Sequence, residues 1–283
     1  NFTYSSDVVT KLILARNDLQ QLDIPSMPNL NYLDVSINML RSQAWIAWPS
    51  DAKNLTHLNL SYNMLYETPL SLWPNLEELI INNNNYTTLD FSTNTKLKKL
   101  HAFYTGISSF KLTKATELTD LNIMGTKFTK IDLSQNTKLE SLDISKTSPS
   151  SLDLSSNTAL KRLLMSDCLL STFDFSPLMQ LTYLDFSKNS ISEPQLQTLT
   201  KLNYLNCSSN AIEAIDLSAN TAIETLLCSV NKLQEIDLTP LTSLKHLDCS
   251  SNSLSSLNLK SNTSLERLKA FDNALTSLDV KDV

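Results

Sequence analysis

Several residue types are scarce in this chain, and each scarcity excludes a class of function. Only two glycines occur among the 283 residues, which excludes the glycine-rich loops that cradle phosphates. No apolar run approaches the ~20 residues that a membrane-spanning helix needs. Basic residues do not exceed acidic ones, and the net charge of -6 argues against a basic stripe for nucleic acid. The sequence therefore predicts no nucleic-acid partner and no direct membrane insertion of this segment.

What the chain does contain is an internal repeat. The stretch 202–226 reads LNYLNCSSNAIEAIDLSANTAIETL, and its opening pattern LxxLxCxxNxI begins again at Ile223. The same step, from 202 to 223, separates all neighbouring blocks except those at Leu30 and Leu55, which lie further apart. The thirteen blocks begin at residues 9, 30, 55, 76, 97, 118, 139, 160, 181, 202, 223, 244 and 265. We interpret residues 1–8 as the remnant of a preceding repeat or flank, and residues 1–283 as a single repeat domain.

The pattern within a block predicts its local structure. L-x-x-L-x-L places apolar side chains at alternate positions, which is the period of a short strand with one buried face. Each strand is expected to pair in parallel with the same strand of the next block, about 4.8 Å away. The asparagine at the ninth position is expected to turn the chain out of the strand and to bond backbone groups of neighbouring coils. These ladder asparagines are Asn17, Asn38, Asn63, Asn84, Asn189, Asn210, Asn231, Asn252 and Asn273.

The second half of a block is short, and its return leaves too little room for a full helix. It reads DLS-x-NT, as at 216–221, or contains a proline turn, as at 237–241. Proline fixes φ and suits an outer turn. We therefore predict a mostly β solenoid, with a parallel sheet of about 13 short strands and a convex side of 3₁₀ turns and extended segments. The extra residues within 41–54 predict a convex bulge with one helical turn.

The LNCSSN, LLCSVN and LDCSSN blocks resemble the 21-residue, cysteine-bearing subclass of leucine-rich repeats found in internalin J-like bacterial surface proteins. The resemblance covers residues 9–280. It implies an α/β-type leucine-rich repeat solenoid, a right-handed curved superhelix with the sheet on its concave face. It also implies a secreted or surface-attached, extracellular protein that binds another molecule. The signal and the anchor that such a location requires are not recognised in this chain.

Cys207, Cys228 and Cys249 occupy one inward position in three successive blocks. They should stack about 4.8 Å apart with parallel Cα–Cβ vectors. A disulfide needs Cβ atoms about 3.8 Å apart and a turned S–S dihedral, which parallel vectors do not offer. Three thiols in a row cannot surround a zinc ion either. We predict buried thiols that act as small hydrophobes.

No catalytic constellation is recognised, and neither HExxH nor GxSxG occurs. The three histidines, His57, His101 and His246, lie in blocks far apart. Asp143 and Asp185 share one concave column but are separated by an intervening block, about 10 Å apart, too far to share a proton. We predict no enzyme, no catalytic residue, no metal site and no cofactor.

One part of the concave face is irregular. Serine follows the last strand position in most blocks, but two neighbouring blocks have Phe103 and Met124 instead. Apolar groups turned toward water in an otherwise regular array favour a binding patch, while degeneration of the repeat is the alternative. The candidate residues are Ile80, His101, Phe103, Tyr104 and Met124. The asparagine ladder lapses nearby at Thr105, Thr126, Thr147 and Cys168, so residues 105–170 are expected to open most readily.

A second candidate set contains Tyr183 and Tyr204 in adjacent blocks, with Leu227, Val230 and His246 beside them. Tyrosine pairs supply amphipathic contact area at low entropic cost. A cross-strand pair that stabilises the sheet is the other reading, and both stay open. A third set of the same kind comprises Tyr32, His57 and Tyr62.

These observations predict a non-catalytic bacterial surface or secreted protein-binding module, adhesin-like or internalin-like, that uses its concave face. Its partner would be a protein ligand of a host or neighbouring cell. One alternative is a carbohydrate- or mucin-binding module with the concave aromatics as stacking platforms for a glycan. Another is a structural spacer for a missing domain.

Overall fold

The computed structural model describes residues 2–3, 6–24, 26–41 and 46–278. The chain divides into two compact units, Asn1–Ser156 and Asn157–Val283. In both units a block forms one coil, which opens with a short strand and returns through turns.

The first unit contains twelve strands among its described residues. In chain order they are β1 (Phe2–Thr3), β2 (Lys11–Ile13), β3 (Leu22–Asp23), β4 (Tyr32–Asp34), β5 (Ile46–Ala47), β6 (His57–Asn59), β7 (Glu78–Ile80), β8 (Thr88–Asp90), β9 (Lys99–His101), β10 (Ser109–Lys111), β11 (Asp120–Asn122) and β12 (Ser141–Asp143). Seven of them form a parallel sheet in the order β2-β4-β6-β7-β9-β11-β12. The others lie in the return segments, where β1, β3 and β5 pair in parallel and β8 pairs with β10.

The second unit contributes one strand per block. Its strands are β13 (Arg162–Leu164), β14 (Tyr183–Asp185), β15 (Tyr204–Asn206), β16 (Thr225–Leu227), β17 (His246–Asp248) and β18 (Arg267–Lys269). They pair in parallel in chain order. The prediction of about 13 short parallel strands, one per block, is therefore confirmed.

Among the strands that open a block, each one from β4 to β17 buries its central leucine. Leu33, Leu121 and Leu205 are typical, with 0% of their surface exposed. Burying a leucine side chain stabilises a fold by about 1.5–3 kcal/mol, so the repeated leucine is the main source of cohesion between coils. Because successive side chains alternate across a strand, the first and third residues of each strand point away from this core.

The return segments are extended pieces and turns, with a 3₁₀ helix at Leu70–Leu72, as predicted. The helical turn predicted within 41–54 is wrong for residues 46–54, which form β5 and two turns, while residues 42–45 lie outside the described residues. Here Trp48 packs edge-on against Trp73 at 5.6 Å, and Trp73 Nε1 donates to the Pro49 carbonyl at 3.1 Å. An aromatic pair with a hydrogen-bonded indole N–H thus occurs where we predicted a helical turn.

The ninth-position asparagines connect neighbouring coils. Asn210 Nδ2 donates to the carbonyls of Phe186 and Cys207, both at 3.1 Å. Its Oδ1 accepts the amide of Ile191 at 3.0 Å. One side chain thereby satisfies backbone groups of two coils, which buried turns otherwise leave unpaired. The same arrangement recurs at Asn38, Asn63, Asn84, Asn189, Asn231 and Asn252.

Threonine replaces part of this function where the ladder lapses. Thr105 Oγ1 donates to the Ala102 carbonyl at 2.8 Å, and Thr126 Oγ1 donates to the Ile123 carbonyl at 2.7 Å. Each of these bonds matches the one that a ladder asparagine makes to the carbonyl at the strand exit of its own coil. A hydroxyl has a single proton to donate, so it cannot also donate to the preceding coil.

A second asparagine ladder on the return side was missed in the sequence. Asn220, in a DLS-x-NT motif, is fully buried, and its Nδ2 donates to the carbonyls of Leu196 and Leu199, both at 3.0 Å. Asn262 contacts Leu238 and Leu241 in the same way, at 3.0 and 2.8 Å. The recurrence of Asn-Thr in this motif was the signal that could have identified it.

Cys207, Cys228 and Cys249 follow paired strands in register and are 0% exposed. Cys207 donates its amide to the Leu227 carbonyl and Cys228 to the Asp248 carbonyl, both at 2.8 Å. These three thiols form no disulfide within the described chain. Burial raises the pKa of the Cys207 thiol to about 12 and that of Cys249 to about 11. The thiols therefore stay protonated and behave as apolar groups.

Candidate binding surface

The strand face, as defined here, consists of the outward side chains at the first and third residues of the sheet strands. Strand register decides which of them are neighbours. Ile80 is the partner of His101 across β7 and β9, and Tyr183 is the partner of Tyr204 across β14 and β15. The face thus divides into columns of side chains that run from coil to coil.

Most third strand residues have a structural role that the sequence did not reveal. Asp185 Oδ1 accepts the amide of Ser187 at 2.9 Å and its hydroxyl at 2.6 Å, which closes a turn at the strand exit. Asp185 Oδ2 also accepts Nδ2 of Asn206 from the next coil at 3.0 Å. The same turn is closed at Asp34, Asn59, Asn122, Asp143, Asn206 and Asp248. The recurrent serine is a partner of these turns, and these carboxylates are already engaged.

Other coils place a different residue at this turn position. Ile80, Leu164 and Leu227 have no side-chain acceptor for the turn, and each is half-buried with its apolar side chain directed outward. They contribute neither a turn hydrogen bond nor full burial to the fold. Apolar groups in such positions are typical of interaction surfaces. Two of the three, Ile80 and Leu227, are among the residues predicted to bind.

The structure brings the five residues of the first predicted patch together across three coils. Ile80 lies beside His101, and the rings of Phe103 and Tyr104 meet edge-on with centroids 5.9 Å apart. Tyr104 donates its amide to the Met124 carbonyl at 2.8 Å, which places Met124 on the adjacent coil. We call this set the first patch.

Polar side chains beside the first patch contact one another. His101 Nε2 lies 3.1 Å from Asp120 Oδ2, and Lys99 Nζ lies 3.1 Å from Glu78 Oε1. Both pairs are partly exposed, so each stabilises the fold by less than about 1 kcal/mol. They leave the apolar side chains as the distinguishing feature of the patch.

Gly125 accommodates the Tyr104 ring. A Cβ at Gly125 would lie 2.6 Å from Tyr104 Cδ1, closer than any real contact. Its φ of 64° does not by itself require glycine, because Lys146 has a φ of 57° at the equivalent position. Lys146 Nζ donates to the Tyr104 hydroxyl at 3.1 Å. The missing Cβ therefore allows the tyrosine to cross one coil and reach the next.

The second predicted patch is built around a stack. The Tyr183 and Tyr204 rings are 4.0 Å apart and parallel within 2°, and the Arg162 guanidinium lies 3.8 Å from the Tyr183 ring centroid. Because β14 lies between β13 and β15, both faces of the Tyr183 ring are covered. Stacking and cation–π contact stabilise the sheet by about 0.5–1.5 kcal/mol each. Burial, then the hydrogen bond with Tyr183, raises the pKa of Tyr204.

Two other residues of this patch lie near the stack. Leu227 is the strand partner of Asn206, and His246 is the partner of Thr225. Thr225 therefore separates the imidazole from Tyr204, so His246 is one strand removed from the ring stack.

The third set repeats this arrangement. Tyr32 and His57 stack with centroids 5.9 Å apart, and Lys11 Nζ lies 4.4 Å from the Tyr32 centroid. A cation, a tyrosine and a second aromatic ring thus occupy consecutive strands. Tyr62, the third predicted member, is 52% exposed and lies at the strand exit instead.

Two general findings bear on the chemistry of the chain. Among the described residues, no group of three histidine, cysteine, aspartate or glutamate side chains is placed to hold a metal ion. No described segment forms a helix with the length and hydrophobicity of a membrane span.

One parallel strand per coil, asparagine ladders and an outward face free to vary together define a leucine-rich repeat protein. The family model described as Leucine Rich Repeat matches residues 54–76. The functional domain of InlJ from Listeria monocytogenes, which includes a cysteine ladder, is similar with a TM-score of 0.90 and 34% identity over 98% of this chain. The chain thus has a leucine-rich repeat fold with internalin-like repeats, and the predicted resemblance is confirmed.

Two further solved structures are similar. The internalin inlF from Listeria monocytogenes has a TM-score of 0.74 and 25% identity, covering 96% of this chain and 87% of its own. A leucine-rich repeat protein of Leptospira interrogans has a TM-score of 0.76 and 21% identity, covering 96% and 86%. This chain spans 61% of the InlJ chain. No curated protein sequence matches it significantly.

Proposed function

We propose that the protein is a non-catalytic, internalin-like module of a bacterial surface or secreted protein that binds a protein ligand through its strand face. The observation that carries the proposal is the replacement of the turn-closing residue by Ile80 and Leu227. An outward apolar residue at this position closes no turn and is only half-buried, so its coil gains little for its own fold. Contact with a partner is the benefit that explains it.

The stack in the second patch favours a protein ligand over a glycan. A sugar that stacks on tyrosine needs an open ring face, and Arg162 and Tyr204 cover both faces of Tyr183. The first patch offers an edge-on aromatic pair with isoleucine and methionine beside it. Aromatic and apolar side chains with a polar surround are typical of protein–protein interfaces. A structural spacer would not need such a patch.

The experiment uses the asparagine that the fold itself places at the turn position. Ile80→Asn removes the apolar contact and supplies the acceptor that Asn59 uses to bond the Ser61 amide at 3.1 Å. The variant should therefore fold as well as the parent protein. Ile13→Asn is the matched control, since Ile13 is exposed at the same position in the first block but has Asp34 as its strand partner and lies outside the first patch.

The parent protein and the variants Ile80→Asn, Leu227→Asn and Ile13→Asn are probed on an array of purified extracellular proteins and on a glycan array. Binding to a protein that Ile80→Asn weakens at least tenfold, and that Ile13→Asn leaves intact, is the expected result. Binding to glycans alone would overturn the proposal. A protein ligand that is indifferent to Ile80→Asn and to Leu227→Asn would also overturn it.

A further inference from the structure

The first residues of the strands in the second unit form one outward column, and all but one of them carry a planar group. Arg162, Tyr183 and Tyr204 are stacked, with the guanidinium 3.8 Å from the first ring and the two rings 4.0 Å apart. Thr225 then interrupts the planar groups. In chain order the column contains Arg162, Tyr183, Tyr204, Thr225, His246 and Arg267.

We call the space above Thr225, between the side chains of Tyr204 and His246, the ring gap. Thr225 is the strand partner of Tyr204 on one side and of His246 on the other, so these two lie two strand spacings apart, about 9.6 Å. A planar group in contact with both rings needs about 7–8 Å, since carbon atoms pack best about 3.5–4.0 Å apart. The gap therefore has room for one ring, and the half-buried threonine forms only its floor.

The ring gap has no counterpart in the other described strands that open a block. Ser141 is the other small residue at a first strand position, and its strand partner Asp120 has no ring. Tyr32 and His57, which occupy adjacent strands, contact each other with centroids 5.9 Å apart. Among the described strands of this column type, a single small side chain thus separates two rings only at Thr225.

The polar side chains beside the ring gap are already engaged. Asn206 Nδ2 donates to Asp185 Oδ2 at 3.0 Å. Asp248 Oδ1 accepts the Ser250 amide at 3.2 Å, and its Oδ2 lies 3.5 Å from Lys269 Nζ. A sugar inserted into the gap would find few partners for its hydroxyls, and burying a polar group without a hydrogen bond is unfavourable. The gap therefore favours an apolar occupant.

The charged and apolar groups around the gap narrow the choice further. Arg162 and Arg267 lie at the two ends of the column, so a guanidinium in the gap would meet like charge from both directions. Leu227 follows Thr225 on the same strand and is half-buried, and Val230 of the same coil is 53% exposed. Two ring faces with aliphatic groups beside them fit an uncharged aromatic side chain.

We propose that the ring gap receives one aromatic side chain of the protein ligand, a tryptophan, tyrosine or phenylalanine, which stacks between Tyr204 and His246. The inserted ring continues the stack that Arg162 and Tyr183 begin. Because Tyr183 supports Tyr204 from the opposite side, the open face of Tyr204 is held in place before the ligand binds. This inference rests on the proposed function and specifies the ligand residue that anchors on the second patch.

Thr225→Tyr tests the gap by filling it from within. The new ring should stack between Tyr204 and His246, raise the midpoint of thermal unfolding and exclude the ring of the ligand. Thr225→Val keeps the shape of threonine without its hydroxyl, so it should leave binding within twofold of the parent protein. Ser141→Tyr is the matched control, because it places the same ring at the same strand position beside Asp120.

The probes are phage-displayed random 12-residue peptides, which are selected on the immobilised full chain and then synthesised for affinity measurements. Enriched peptides should share one aromatic residue, and replacing that residue by leucine should weaken their binding at least tenfold. Thr225→Tyr should weaken binding of the same peptides at least tenfold, whereas Ser141→Tyr should leave it within twofold.

Several results would overturn the proposal. They are an absence of enriched peptides, peptides that keep their affinity when the aromatic residue becomes leucine, peptides anchored by arginine, and equal binding to the parent protein and Thr225→Tyr. A lowered unfolding midpoint of Thr225→Tyr would also contradict it, because the gap would then not accommodate a ring.

The protein and glycan arrays separate this inference from the proposed function. A protein ligand that depends on Ile80 and Leu227 but binds Thr225→Tyr like the parent protein supports the strand face and refutes the ring gap. Peptides that depend on the gap, together with no protein ligand that depends on Ile80 or Leu227, support the gap and refute the strand-face proposal. A glycan whose binding Thr225→Tyr abolishes would make a sugar the occupant and overturn the inference.

Discussion

Replacing a ladder asparagine by the threonine found in other coils should have a cost that the structure allows to be worked out. In Asn210→Thr the hydroxyl keeps the bond to the Cys207 carbonyl, as Thr126 does with Ile123. The donor to Phe186 and the acceptor for the Ile191 amide are lost.

The two losses differ in size. The Phe186 carbonyl also accepts a hydrogen bond from Asn189 Nδ2 at 2.8 Å, so it stays paired in the variant. Losing the bond from Asn210 to this carbonyl therefore costs about 1 kcal/mol. The Ile191 amide has Asn210 Oδ1 as its acceptor, so it is left unpaired, which costs about 1–3 kcal/mol. The variant should therefore lose about 2–4 kcal/mol of unfolding free energy.

Denaturant unfolding measures the total, and hydrogen exchange locates it. The Ile191 amide should lose protection, while the Ile212 amide should keep it, because Asn231 Oδ1 accepts that proton at 3.1 Å. A change in unfolding free energy below about 0.5 kcal/mol, with unchanged exchange at Ile191, would refute the reasoning, because leaving a buried amide unpaired destabilises a fold by more than this.

Three further predictions concern Gly125, the buried thiols and Asp216. Gly125→Ala should displace the Tyr104 ring, seen as a changed near-ultraviolet circular dichroism signal, whereas an unchanged signal would mean that the ring does not rest on the glycine. The native thiols should stay unreactive toward a thiol reagent at pH 8 and react only on unfolding, since burial raises the pKa of Cys207 to about 12. Rapid reaction of the folded protein would contradict this prediction. Hydrogen bonds from Ser218 lower the pKa of Asp216 below 3.8, so the contribution of this carboxylate to stability is present above that pH and is lost as the pH falls through the lowered value. Asp216→Asn should therefore flatten the decline of the unfolding free energy at acid pH. An unchanged decline would refute this role of Asp216.

The strands were predictable because their central leucines recur once in every block and a single buried face leaves one register. The site was predictable only in part. Phe103 and Met124 stood out because they interrupt a column of serines. The reason for the serines was not visible in the sequence: they donate hydrogen bonds to the last strand residue, as Ser187 does to Asp185. The cover of Arg162 over Tyr183 depends on side-chain torsions that a repeat pattern does not encode. The second asparagine ladder was visible as a recurrent motif, yet its burial became evident only from the coils packed around Asn220.

The buried cysteine column has a consequence for the folded chain. Three protonated thiols shielded from solvent offer nothing for an oxidant or an isomerase to act on once the coils have closed. Once folded, the chain can meet a reducing or an oxidising medium without gaining or exchanging a covalent crosslink at these three residues. Its folded stability should therefore be the same with and without a thiol reductant.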